Sequence, residues 1–368
     1  MTLIFDGNYL FYKTLFIFGS YSKSGKLLSD KRDQEMFIRK IATDMSHAIR
    51  TFGNPTRIIF TIDTRSWRKE IEIEEGGYKA HREKDESKVD WDAFFKCMNE
   101  FADILKSKGF IVSREERAEG DDLMYLWADR LLQEGQDSVI ITGDKDLTQC
   151  VRLENNNFIV VYNPNSKSRK IVAPVGFKDW LNSEEYDLFD ASTFMNRSKD
   201  LIAEAIAAIP IEELDPYYMI FEKVIIGDAG DAVPPVWTWE NKGKTFRVTP
   251  TKAARIYEVI KNVKTFSDVM DMPSLALEIS NGINSACKQI APVDALRSRL
   301  QRNITLVYLD KRVIPTEIQQ AFTTSFEAPD TKTELAAKVY DMNTLLAGTH
   351  FISGGKTFEA DIFSNFKI

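Results

Sequence analysis

The stretch Arg117–Leu131, RAEGDDLMYLWADRL, puts three carboxylates into four residues at Glu119-Gly120-Asp121-Asp122, and an apolar helical pattern (Leu123, Leu126, Trp127, Leu131) follows at once. One acid at a helix start complements the helix dipole; a single cap does not need three. The other chemistry open to such a group is cation binding. Glu119 and Asp122 stand one helical turn apart and Asp121 points at a different angle, so this helix start could serve two ions. Further acids follow apolar runs: Asp6 after TLIF, Asp63 after RIIFTI, Asp144 and Asp146 after DSVIIT, and Asp228 and Asp231 in IIGDAGDAVPPV. Taken singly, each of these reads equally as a turn residue, a strand-end cap or a helix cap. Taken together they would raise one another's pKa, and a bound divalent cation removes that conflict. His47, His81, His350, Cys97, Cys150 and Cys287 are scattered and show no zinc spacing. An all-oxygen set favours Mg²⁺, with Mn²⁺ able to substitute. Two such ions about 4 Å apart can activate a water and stabilise the leaving oxygen in phosphodiester cleavage.

The elements that would position these acids alternate between strand and helix. Strands are expected at 2–5, 57–62, 110–113 and 137–142, with helices at 9–18, 36–52, 90–108 and from the Glu119 segment onward. A hairpin is expected from 158–162 and 169–173 around NPNSKS. This order predicts an α/β fold with a mostly parallel sheet flanked by helices, and ligands in such sheets bind beyond the carboxyl ends of the strands. After about residue 175 the pattern turns mostly helical, with a short apolar segment at 304–309.

At 368 residues the chain exceeds a single core, so two or three modules are expected. The hydrophobic fraction of 43% and the charged fraction of 28% describe an ordinary globular protein. A net charge of -7 argues weakly against a nucleic-acid partner, but an average hides local patches. The three separated cysteines suggest a reducing compartment and buried, inert thiols. Met1 is followed by a short apolar strand, not a signal peptide, and no apolar run reaches a membrane span, so a cytoplasmic location and no membrane partner are expected.

These motifs, in this order, resemble the FEN/5′-nuclease superfamily, helix-hairpin-helix proteins with a PIN-like core, and among them free-standing phage RNase H and flap endonuclease type enzymes. IFDGNYLFYK resembles the opening Asp-Gly segment, and IIFTIDTRSWRKE the second strand with its terminal Asp and a following Arg. YKAHR resembles the basic motif of a helical arch. AEGDDL resembles Glu-Ala-Asp-Asp, ITGDKDLTQ the Asp-Lys-Asp segment, and IIGDAGDAVPPV the Gly-Asp-x-x-Asp start of the helix-hairpin-helix element. The resemblance implies a Mg²⁺-dependent 5′→3′ exonuclease and flap endonuclease acting in DNA replication or repair. Its DNA partners would be branched, nicked or RNA-primed duplexes; a replication clamp or a single-strand-binding protein is the partner that a docking reading of the C-terminal tail would give. It implies that Asp6, Asp63, Glu119, Asp121 and Asp144 serve one metal, and Asp122, Asp146, Asp228 and Asp231 a second. Lys79 and Arg82 would act on the scissile phosphate, Tyr78 would stack on a terminal base, and Arg68 would contact phosphate. The rival readings are a PIN-type ribonuclease acting on RNA and a non-catalytic DNA-junction-binding protein.

The resemblance divides the chain into a nuclease core at 1–210 with a helical arch at about 65–90, a helix-hairpin-helix region at 211–300 and a C-terminal segment at 301–368. A monomer is expected. Arg65–Lys88 holds seven Lys/Arg and seven Asp/Glu, and reads as a solvated loop that orders on DNA with Lys79 and Arg82 on one helical face. Trp237–Lys264 holds seven Lys/Arg against two Glu, a candidate phosphate surface in an acidic protein. Where the family has a tight Gly-rich hairpin, this sequence carries PPVWTWENKGKTFRVTPTKAARIYE, longer by about a dozen residues. Lys242, Lys244, Arg247, Lys252 and Arg255 are its candidate DNA contacts, and Trp237 and Trp239 read as loop packing. The ending GGKTFEADIFSNFKI, with Phe358, Phe363 and Phe366, reads as a packed segment ahead of a partner-docking peptide. Gly120 stands where the family commonly has Ala, at a cost of about 1 kcal/mol in a helix. Either the first turn is looser or backbone and carboxylates pack closely there.

Overall fold

The computed structural model describes residues 1–19, 26–52, 55–73, 76–82, 85–165, 167–183, 206, 208–263 and 265–328. It divides into two compact units. The first comprises Met1–Thr64, Lys84–Glu213 and the chain from Glu317 onward; the second comprises Arg65–Glu83 and Leu214–Thr316. No helix among the described residues is long and apolar enough to cross a membrane.

The first unit is built on strands β1 (Thr2–Asp6), β2 (Arg57–Thr61), β3 (Ile111–Ser113), β4 (Ser138–Ile141), β5 (Arg152–Glu154), β6 (Asn157–Asn163), β7 (Lys170–Pro174) and β8 (Ile211–Leu214). The sheet order is β3-β2-β1-β4-β6-β7-β8, and β5 pairs with β6. From β3 to β6 every pairing is parallel. The β6–β7 pairing is antiparallel, as the NPNSKS hairpin predicts. Because side chains alternate across a strand, Leu3, Phe5, Ile58, Phe60, Val139 and Ile141 share one face. That face forms a core with helices α1 (Gly7–Gly19), α2 (Lys31–Thr51) and α3 (Trp91–Ser107). Ile4, Ile59 and Ile140 are equally buried and face the other way, toward helix α4 (Gly120–Gln133), which packs on β1, β2 and β4. Both faces are covered, as a parallel sheet requires. A short helix α5 (Phe177–Leu181) follows β7.

Within the second unit, α6 (Pro216–Ile226), α7 (Pro250–Ile260), α8 (Ala276–Cys287) and α9 (Val293–Val307) surround one apolar core. Asp215 caps α6 by accepting from Tyr217 N–H at 2.9 Å, and Pro216 supplies the first-turn φ. Ile304 lies inside α9, so the apolar segment expected at 304–309 begins as a helix end. The inserted residues form a hairpin of β9 (Thr238–Asn241) and β10 (Lys244–Arg247), with Lys242 and Gly243 at positive φ in a two-residue turn.

Two further readings change. Arg65–Glu83 contains a 3-10 turn at Trp67–Glu70 and turns around Tyr78–His81, with no α-helix among the described residues. Lys79 sits at φ 56, which an α-helix does not allow. The segment is also packed: Tyr78, Ile71 and Ile73 lie against Val233, Leu306 and Val307. The start of the C-terminal segment forms α10 (Thr316–Glu327), whose Phe322 and Phe326 rings sit 5.3 and 5.0 Å from Trp127 of α4. The GGKTFEADIFSNFKI ending lies outside the described residues.

Candidate active site

Asp6 ends β1, the strand between β2 and β4, and is 6% exposed. Its Oδ1 accepts from Tyr9 N–H at 2.8 Å and its Oδ2 from the Thr142 hydroxyl at 2.8 Å. These bonds fix the carboxylate at the carboxyl edge of the sheet. Burial raises its pKa from 3.8 to about 7, and the charges of Asp63 and Asp144 add to the rise against the two hydrogen bonds.

Asp63 follows β2, and its backbone N–H donates to Asn8 Oδ1 at 3.0 Å. Its Oδ1 accepts from Gly120 N–H at 2.5 Å, the first residue of α4. A Cβ at Gly120 would stand 2.8 Å from that same oxygen and 3.4 Å from Thr61 Oγ1. The glycine is therefore a close approach, not a loose turn. Thr64 holds the loop before α4 in place: its hydroxyl donates to Glu115 O and Ala118 O, and its N–H donates to Ala118 O.

Asp122, fully buried, accepts from Glu119 N–H at 3.1 Å through Oδ2. Glu119 and Asp122 thus form a capping box, each side chain accepting from the other's backbone N–H, so two of the three acids cap the helix. Glu119 is 6% exposed at the N-cap, while Asp121 is half-buried on the first turn. Beyond β4, Asp144 N–H donates to Thr142 Oγ1 at 3.0 Å and Asp146 N–H to Asp144 Oδ1 at 2.9 Å. Asp144 is exposed and Asp146 half-buried. The first unit thus sets Asp63, Asp6 and Asp144 after three neighbouring parallel strands, with Glu119, Asp121 and Asp122 on the helix that meets Asp63.

Sequence reasoning missed Asn8, Tyr9 and Thr142, which hold these acids. The first two directly follow Asp6-Gly7, and Thr142 precedes Gly143-Asp144, so their adjacency was the available signal. The Tyr9 hydroxyl donates to Asn165 Oδ1 at 2.8 Å. Cys97 and Cys150 are unpaired thiols that burial pushes up to about 12, in keeping with inert cysteines.

The remaining predicted residues lie in the second unit. Asp228 closes a tight turn with Val233: each N–H donates to the other's carbonyl at 2.8 Å. Gly227, at φ 75, has no room for a Cβ against the Val233 carbonyl and Pro234. Burial would raise the Asp228 pKa; Lys223 at 2.7 Å and the Gly230 and Asp231 amides outweigh it and hold the carboxyl below its ordinary value. Asp231 gathers the basic motif: Oδ1 pairs with Arg82, and Oδ2 accepts from the Tyr78 hydroxyl at 3.1 Å and lies 3.8 Å from Lys79 Nζ. Arg82 also donates to Gly230 O, at 3.2 Å from Nη2.

Two expectations fail here. Tyr78 is 5% exposed, its ring packed on Val233 and Leu306, so it does not offer a face for a base. Arg68 is 1% exposed with its guanidinium 4.6 Å from the Trp67 ring centroid, so it is a packing residue in this fold. The fate of Tyr78 was not legible, because it depends on partners distant in sequence. Lys242, Lys244, Arg247 and Arg255 are exposed and Lys252 is partly so.

This mostly parallel sheet covered by helices, with carboxylates beyond its carboxyl edge, is a PIN-like fold. Residues 1–180 match the model of the 5′-3′ exonuclease, N-terminal resolvase-like domain, and the protein is an enzyme, a phosphodiesterase. The fold is also that of the bacteriophage T5 flap endonuclease, solved as a pseudo-enzyme-product complex with DNA and metal ions: TM-score 0.50, 16% identity, covering 88% of this chain and 96% of that one. A T5 protein crystallised with metal ions aligns at TM-score 0.49 and 16% identity over 88% and 97% of the two chains. Human GEN1, in complex with Holliday junction DNA, aligns at 0.41 and 11% over 89% and 68%. The comparison with curated proteins finds no match.

Proposed function

We propose that this chain is a Mg²⁺-dependent, structure-specific 5′ nuclease, a 5′→3′ exonuclease and flap endonuclease acting on branched, nicked or RNA-primed duplexes during DNA replication or repair. The observation that carries the reading is the Asp63, Asp6 and Asp144 series beyond β2, β1 and β4. The T5 relative captured with DNA and metal ions on the same fold supports it. The proposed enzyme works as a monomer in the cytoplasm.

The donor set fits a hard divalent cation. It is all oxygen, and Asp6, raised first by burial and further by the charges of Asp63 and Asp144, is a carboxylate whose ionised form a cation would favour. Asp6, Asp63, Glu119, Asp121, Asp122, Asp144 and Asp146 would hold such ions, with Asp228 and Asp231 serving through water. Bound Mg²⁺ supplies charge to activate a water and to stabilise the leaving oxygen. The protein's share is positioning. The Tyr9 N–H and Thr142 hydroxyl hold the Asp6 carboxylate, the Gly120 N–H holds that of Asp63, and Asn8 Oδ1 anchors Asp63 by accepting from its backbone N–H. In hydrolysis the water oxygen bonds to phosphorus as one sugar oxygen leaves, and negative charge builds on the phosphoryl oxygens. Lys79 and Arg82 would meet that charge by exchanging Asp231 for the substrate phosphate. Lys242, Lys244, Arg247, Lys252 and Arg255 would grip the duplex backbone without reading bases.

The test uses a 5′-labelled flap, a nicked duplex and an RNA-primed duplex, each with Mg²⁺ and with EDTA. Mg²⁺-dependent release of 5′ fragments is expected from at least one, and its absence from all three would overturn the enzyme reading. Asp146→Asn should lower cleavage by about a hundredfold or more while DNA affinity in EDTA stays within threefold. Unchanged cleavage in Mg²⁺ would remove Asp146 from the site.

A further inference from the structure

The β9–β10 hairpin pairs Lys244 with Asn241, Thr245 with Glu240, Phe246 with Trp239 and Arg247 with Thr238. Alternation puts Trp239, Asn241, Lys244 and Phe246 on one face and Thr238, Glu240, Thr245 and Arg247 on the other. On the second face the Thr245 hydroxyl donates to the Glu240 carboxylate, which occupies the hairpin's one acid. On the first face the Trp239 and Phe246 rings lie 6.1 Å apart and 17° from parallel. Lys252 Nζ, from α7, sits 5.7 Å from the Trp239 centroid. Every residue of β10 is exposed, and Phe246 is 42% exposed.

The hairpin forms a sheet of its own with no third strand. A two-stranded ribbon is marginal in water; the stacked cross-strand pair supports it, and Phe246 still stays 42% exposed. The neighbouring Trp237 differs: it packs on the second unit's core, with the Arg299 guanidinium 5.7 Å from its ring. Lys242, Lys244, Arg247 and Lys252 make no ion pair with a carboxylate among the described residues. An open aromatic face flanked by Lys244 and Lys252 matches a polyanion whose own flat apolar faces are available. A base-paired duplex hides those faces and asks only for cations; a single strand exposes them, and aromatic stacking takes any base.

We propose that Trp239 and Phe246 form a stacking platform for an unpaired nucleobase in a single-stranded arm of the substrate. Phe246 meets the base face, Lys244 beside it meets the phosphate, and Asn241 reaches a base edge. The hairpin thereby tells an armed or gapped duplex from a flush one. The proposal rests on the nucleic-acid reading above but not on catalysis.

The experiment measures fluorescence anisotropy of the full-length protein in EDTA, so that nothing is cleaved. Its probes are a 20-nucleotide oligo(dT), a blunt duplex and the same duplex with a single-stranded arm. Phe246→Ala should weaken binding to oligo(dT) and to the armed duplex about tenfold, and to the blunt duplex less than twofold. Phe246→Tyr keeps a ring and should keep the affinity, which separates stacking from loss of the hairpin. A 2-aminopurine in the arm should be quenched by the wild type and not by Phe246→Ala. Equal loss on all three probes overturns the proposal in favour of a purely electrostatic hairpin. Full retention on all three overturns it and leaves the platform to a protein surface. Failure of the wild type to cleave in Mg²⁺, with this selectivity intact, would overturn the nuclease reading and leave the platform standing.

Discussion

Gly120 shows how little room separates capping from metal binding. Its N–H donates to Asp63 Oδ1 at 2.5 Å, and an added methyl would meet that oxygen at 2.8 Å. The helix would gain about 1 kcal/mol from alanine, and the carboxylate would have to turn away. Gly120→Ala should therefore leave the urea midpoint within the equivalent of about 1 kcal/mol while cleavage falls tenfold or more. A variant that cuts at the wild-type rate would show that the Asp63 rotamer does not matter. Asp122 makes the complementary point: its capping box with Glu119 settles two acids of the cluster as caps, and Asp121 exceeds that need.

Among elements, α9 holds the end of α6 and the turn that follows it through one side chain. Asn303, fully buried, donates through Nδ2 to Val224 O at the end of α6 and to Pro234 O after the Asp228–Val233 turn, both at 2.8 Å. Two buried carbonyls thus depend on a single amide. Asn303→Asp keeps the shape and removes both donors. It should cost about 2–4 kcal/mol in urea denaturation, more than a surface change and comparable to a core cavity. A cost below about 0.5 kcal/mol would mean that water replaces the amide. On the same turn, Asp231 collects Tyr78, Lys79 and Arg82, so the geometry that Asn303 supports is also the one that shapes the basic motif.

For the whole molecule, a net charge of -7 coexists with a run of seven Lys/Arg against two Glu at 237–264. Averaged charge would predict weak affinity for DNA, whereas a local patch predicts binding that depends steeply on salt. Replacing Lys242, Lys244 and Arg247 together by Gln should reduce the slope of log affinity against log salt on a blunt duplex by about 2.7, if all three reach phosphate. An unchanged slope would mean that the hairpin cations stay off the backbone. This readout is separate from Phe246, whose loss should shift affinity for single strands without changing that slope.

The strands β1, β2 and β4 and the acids that end them were legible because each is a short apolar run stopped by Asp or Gly-Asp, a signal confined to a few neighbouring residues. The parallel order followed from the intervening helices, and the 158–173 hairpin from its polar turn. The β9–β10 hairpin escaped because its strands are exposed on both faces and carry no buried alternation. The fates of Tyr78 and Gly120 were hidden for another reason. The Tyr78 hydroxyl finds Asp231 153 residues away, and Gly120 meets an oxygen 57 residues earlier. Local sequence sets residue type, spacing and the direction of the chain. Burial, close approach and the choice of ion-pair partner arise only when segments distant in sequence are packed side by side.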